Sequence, residues 1–138
     1  MTRTLSPNLY KAVKAAYFTG SELKDVKTLP VLHHYHLRTH EGRLEITGTN
    51  LAEARQEYAP ARVEQEFDFC VPMRPFKDWL SVTAKYKTIL ELSYDPASRI
   101  LTVTECAPAH EKAVCLSRTQ FRCMSADEFP TAAPTALV

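Results

Sequence analysis

The side chains best equipped for chemistry stand close together. His33, His34, His36 and His40 fall within eight positions of the stretch TLPVLHHYHLRTHEGRLEITGTN, residues 28–50. On an extended chain, residues two apart share a face, so His34 and His36 project together as an H-x-H pair, a common start to a metal site. A catalytic zinc needs a third protein ligand and an open position for water. His40 and Glu41 fall beyond the strand, in the turn that HEG predicts, and His110 is remote. No HExxH and no second H-x-H occurs. His34 and His36 are therefore expected to be solvent-facing strand residues, with His33 partly buried against its neighbours. A small metal-dependent hydrolase built on His34 and His36 is the competing reading.

Other reaction centres lack their parts. The chain has three glycines, Gly20, Gly42 and Gly48, so neither GxGxxG nor a P-loop is present, and there is no GxSxG. Cys70, Cys106, Cys115 and Cys123 show no CxxC spacing and sit in apolar, strand-like contexts, which predicts reduced core thiols rather than disulfides or a zinc knuckle. Cys106 with His110 has no third group to orient it. No catalytic residue, metal or cofactor is expected.

The elements that would position these residues form two similar series. SPNLYKAVKAAYF predicts a helix with Ser6 as its cap and Pro7 in its first turn. Leu9, Ala12, Val13, Ala16 and Tyr17 make its apolar stripe. After Gly20 and a polar loop to Lys27 come the extended runs LPVLHHYHLRT and RLEITGT, joined by HEG, and then LAEARQEYA. FDFCV then predicts a strand, and Met73 to about Lys85 a second helix, because Pro75 is tolerated only in a first turn. Phe76, Trp79, Leu80 and Thr83 form its buried face. KTILELSY and RILTVTE flank DPAS as a hairpin, and KAVCLSR with QFRCM completes the set. With MTRTL as a strand, β-α-β-β-β occurs twice over repeats of about 1–62 and 63–130. The expected fold is α+β: one domain over 1–130, a pseudo-twofold pair with two helices on one face and antiparallel sheets on the other. Residues 131–138 are Pro- and Ala-rich and predict a tail or linker.

Length and charge fit one such unit. The 138 residues carry a formal net charge of +1, so any nucleic-acid surface must be local rather than global. No apolar run approaches a membrane span, and MTRTLSPNLY lacks the apolar stretch of a signal peptide, which predicts a soluble, cytoplasmic protein.

Four phrases at the joints between elements add a resemblance. TLPVL at 28–32, LEITGTNLAEA at 44–54, VPMRPFKDWL at 71–80 and FRCMSADEFP at 121–130 resemble, in order and spacing, the first domain of the bacterial β sliding clamp, the β subunit of DNA polymerase III. In that family the phrases look like TLPIL, LTLTATDLE, a VPA-led helix and FxLSTLPAxDFP. The resemblance implies the DNA-clamp fold and a non-catalytic processivity factor, an accessory subunit of a DNA polymerase. Six such domains form a ring, helices line the hole, and duplex DNA passes through without sequence recognition. It also implies Lys11 and Lys14 on the first helix and Arg74 and Lys77 on one flank of the second as the DNA-binding residues. Arg74 matches the basic position after VPA, whereas Val26 takes the place of the family's loop arginine, with Lys27 beside it. Other clamp domains, paired edge to edge by strands, and a replicative polymerase and clamp loader are the implied partners. The chain departs from the family in ending after one domain of three and in a final phrase two residues shorter. A clamp-fold interaction module that does not close a ring is the alternative, with KAVCLSRTQFRCM as its open edge and Phe121 packing beneath it.

Overall fold

Ser6 begins the first helix, but not as its cap. In the computed structural model, which describes residues 1–108 and 113–130, strand β1 (Thr2–Leu5) runs directly into helix α1 (Ser6–Ala15), and Leu5 takes the cap position. Ser6 is fully buried; its Oγ accepts the Thr88 N–H at 3.0 Å while its own N–H donates to the Thr88 carbonyl at 2.9 Å. The hydroxyl expected to serve its own helix instead ties the first half of the chain to the second. Pro7 stays in the first turn, and Leu9, Ala12, Val13 and Ala16 are buried with Tyr17 half-buried beside them, as the stripe predicts.

A 3-10 turn at Lys24–Val26 sets Leu23 and Val26 into the core. The run expected to be extended from Leu29 first makes another 3-10 turn, Pro30–His33, where proline lacks only an N–H that would have had no partner. Strand β2 (His34–His40) therefore starts later than expected and reaches further. His40 is not in the turn: it pairs with Arg43 as the last strand residue. The turn is Glu41 and Gly42 alone, at φ 51° and 75°, the double positive φ of a tight hairpin. Strand β3 (Arg43–Thr49) follows, then β4 (Ala54–Pro60), after a turn in which Asn50 Oδ1 accepts the amides of Ala52 and Glu53 at 3.1 and 2.8 Å.

The second half has the same order: β5 (Asp68–Pro72), α2 (Met73–Thr83), β6 (Ile89–Asp95), β7 (Ile100–Pro108) and β8 (Ala113–Arg122), then a short β9 (Met124–Ser125). Helix α2 ends before Lys85, and its last expected turn tightens into a 3-10 segment, Ala84–Tyr86. His110 and the tail 131–138 lie outside the described residues.

Two antiparallel sheets result, ordered β1-β6-β7-β8 and β4-β3-β2-β5-β9. Each half lends its first strand to the other's sheet: β1 pairs with β6, and β5 pairs with β2. Neither half could complete its sheet alone. Leu37, Ile46 and Phe69 from one sheet, Leu92, Leu101 and Val103 from the other, and Leu9, Val13, Phe76 and Leu80 from the helices are all excluded from solvent in one core. Phe121 packs edge-on to Phe76 and Trp79, with ring centroids 5.3 and 6.0 Å away, so the edge strand β8 is anchored beneath α2. On the outer face of β3 the buried Glu45 carboxylate is compensated by Arg38, at 2.7 and 3.2 Å, and by Gln56 at 3.1 Å.

The cysteines are free, but only three are in the core. Burial pushes Cys70 and Cys123 up to about 12 and, with the Glu91 carboxylate beside it, Cys106 up to about 11. Cys115 is exposed on β8, contrary to its expected place. Among the described residues no helix is long and apolar enough to cross a membrane.

Candidate nucleic-acid interface

The two helices pack against each other, which brings the four basic residues onto neighbouring elements. The Tyr35 hydroxyl fixes α1 from below by donating to the Val13 carbonyl at 2.7 Å, and burial raises its pKa well above the usual phenol value, so it remains a donor. Lys11 and Lys14 are exposed on α1, every third residue along its outer side. Arg74, in the first turn of α2, has 83% of its side chain exposed.

Lys77 behaves differently. Its side chain is 25% exposed, and its ammonium stands 4.6 Å over the Tyr17 ring and 3.9 Å from Asp78. The expected common flank of Arg74 and Lys77 is therefore divided: one cation reaches into solvent and the other bridges α2 to α1. Asp78 also lies 3.8 Å from Arg74, an exposed pair of a kind worth about 0–1 kcal/mol. Tyr17, legible in the sequence only as part of the apolar stripe, is the platform for Lys77. Val26 is buried in the core, while Lys27 beside it is exposed.

The histidines serve the sheet. His34 Nδ1 donates to the Pro30 carbonyl at 2.8 Å, and burial lowers its pKa below the ordinary imidazole value. His36 is not solvent-facing: its side chain is 11% exposed, it pairs through Nε2 with Asp68 on β5, and its ring packs 5.1 Å from Phe129. That contact fastens the final segment to the sheet. Among the described residues no three His, Cys, Asp or Glu side chains converge in a way that could hold a metal ion. The phrase FRCMSADEFP thus has a structural account: Ser125 Oγ accepts the Asp127 amide at 3.3 Å to start the last 3-10 turn, and Phe129 is buried on His36.

Two helices side by side, two antiparallel sheets and an exchange of first strands define the fold of a sliding-clamp domain. Solved structures with this fold include the DNA polymerase sliding clamp of Pseudomonas aeruginosa, at 21% identity and a TM-score of 0.72, and that of Caulobacter crescentus, at 19% and 0.74. The DNA polymerase III β subunit of Thermotoga maritima is similar at 21% and 0.64. In each case the likeness covers 95% of this chain and 32% of the other, so the chain spans about a third of those proteins. No protein-family model and no curated protein matches the chain in sequence.

Proposed function

We propose that this chain is a sliding-clamp domain of the first-domain type, a non-catalytic part of a DNA replication processivity factor in the cytoplasm. Its two helices lie along the phosphates of duplex DNA, and 1–130 forms the domain, with repeats near 1–62 and 63–130. Lys11, Lys14 and Arg74 meet phosphates directly, and Lys77 does so when it leaves Asp78. The observation that carries this reading is the juxtaposition of exposed cations on two packed helices in a clamp-domain fold. Such a lining needs charge without base recognition, which agrees with the absence of any deep cationic groove requirement in a ring that holds DNA by topology. Ring closure comes from other clamp domains pairing along β4 and β8, each at one end of its sheet. A replicative polymerase and clamp loader are then partners of the assembled ring.

The β8 edge also supports a second reading, an interaction module that takes a partner's strand without closing a ring. Leu116 is 54% exposed on that strand, an apolar side chain available to a contacting surface.

A salt titration of duplex binding tests the DNA reading. Three to four phosphate contacts give a logarithmic salt slope of about −3, a dissociation constant no tighter than about 0.1 mM at physiological salt, and no dependence on duplex sequence. The double variant K14A/R74A should flatten the slope by about two contacts' worth, to about −1. Tight sequence-selective binding, or a double variant that binds like the parent, contradicts it.

A further inference from the structure

Strands β7 and β8 keep one register from Ile100 opposite Arg122 to Glu105 opposite Ser117. Between Glu105 and Cys106 it slips by one residue. Cys106 then stands opposite Cys115, and Leu116 is the extra residue of a β-bulge. In the unbroken register Cys106 would oppose Leu116, so the bulge is what aligns the two cysteines. Directly opposed residues of an antiparallel pair have Cα atoms about 4.5–5.5 Å apart and side chains on one face, within the roughly 4.4–6.8 Å that a disulfide spans. Both thiols are free.

The two thiols differ in what can reach them. Cys115 is exposed on β8, an edge strand, whereas Cys106 is 2% exposed and its thiol donates to Glu91 Oε1 at 3.2 Å. Arg3 Nε donates to the other Glu91 oxygen at 2.8 Å and holds that carboxyl below the usual carboxylate range, so it stays ionised. Burial first, and then the Glu91 carboxylate, push Cys106 up to about 11. Cys106 is therefore kept as a thiol, out of contact with oxidants in solvent, beside a thiol that meets them.

We propose that Cys115 and Cys106 form a peroxide-responsive dithiol, in which exposed Cys115 is oxidised first and Cys106 resolves it into a disulfide across the β7–β8 ladder. In the first step the Cys115 sulfur attacks a peroxide oxygen; an S–O bond forms, the O–O bond breaks, and the departing hydroxide leaves as water with the thiol proton. Cys106 then turns about its Cα–Cβ bond, away from Glu91 on β6 and towards β8 on the other side of β7. Its sulfur attacks the sulfenic sulfur, the S–S bond forms, the S–O bond breaks, and the second hydroxide leaves as water with the Cys106 proton. Two thiols and one peroxide give one disulfide and two waters. The bond fixes the bulge, and with it Leu116, 54% exposed, on an edge assigned to neighbouring domains. Only that last consequence rests on the clamp reading.

The test treats the folded chain with graded hydrogen peroxide, blocks the remaining thiols with N-ethylmaleimide under denaturing conditions, and digests without reduction. Trypsin cleavage after Arg99, Lys112 and Arg118 places Cys106 in 100–112 and Cys115 in 113–118. The expected product is these two peptides joined, two hydrogen atoms short of their summed mass and lost on treatment with dithiothreitol, while Cys70 and Cys123 carry the maleimide. C106S should stop at a Cys115 sulfenic acid, trapped by dimedone, and C115S should leave Cys106 unoxidised. C115S/S117C moves the exposed thiol two places along β8, opposite Glu105, and should form no link. Free thiols at both positions in the parent, a link at Cys70 or Cys123 instead, Cys106 oxidised in C115S, or a link in C115S/S117C equal to the parent's overturns the proposal. None of these readouts involves DNA, so the disulfide and the duplex reading stand or fall separately.

Discussion

Gly48 shows how closely β3 approaches the end of α1 at the level of single atoms. A Cβ there would lie 2.3 Å from the Ala16 carbonyl oxygen, with Phe18 and Met73 side-chain atoms at 3.2 and 3.3 Å. The obstacle is helix backbone, which cannot move aside, so G48A should cost at least about 1–3 kcal/mol, read as a lowered urea midpoint with unchanged slope. His34 gives a test by pH. Burial holds its folded pKa below 6.5, so the unfolded chain takes up the proton first and stability must fall as the pH drops below that value. Glu22, held at about 2 by Arg55, continues the loss from 4.5 downwards, because the unfolded carboxylate is again protonated first. Urea midpoints at pH 7.5 and 5.5 should differ for the parent and differ less for H34Q; an unchanged difference would place the titration elsewhere.

At the scale of elements, periodicity revealed what local residues control. The stripe of α1 and the face Phe76, Leu80 and Thr83 of α2 match their burial, with Trp79 of that face only half-buried, because a helix on a core must place apolar groups every three to four residues. The tandem β-α-β-β-β order was legible for the same reason. The roles of Ser6 and His36 were not, since each is set by a residue distant in sequence: Thr88 for one, Asp68 and Phe129 for the other. The basic candidates were identified by type and position, but nothing local distinguishes Lys77, folded over Tyr17, from Arg74, which is not. The exchange of β1 and β5 between sheets is likewise a matter of long-range pairing. Phe121 tests the anchoring of the β8 edge. F121A removes a buried ring packed on Phe76 and Trp79, and should cost about 3–5 kcal/mol while shifting Trp79 emission to longer wavelength. A loss under 1 kcal/mol would mean that β8 is held by its ladder with β7 alone.

For the whole molecule, the central claim is that the helix pair, and not either sheet, meets DNA. A near-neutral chain can do this only by concentrating exposed cations on one surface, and a single domain that cannot encircle a duplex has only those contacts for affinity. The strands β4 and β8, one edge of each sheet, are the edges that the proposed assembly would use. The most direct measurement is amide chemical-shift mapping of the labelled chain during titration with a short duplex at low salt. The account predicts shifts at Lys11, Lys14, Arg74 and Lys77, together with their neighbours on α1 and α2, reversed by added salt and independent of duplex sequence. Shifts centred on β3, β4, β7 or β8 with the helices silent would contradict it.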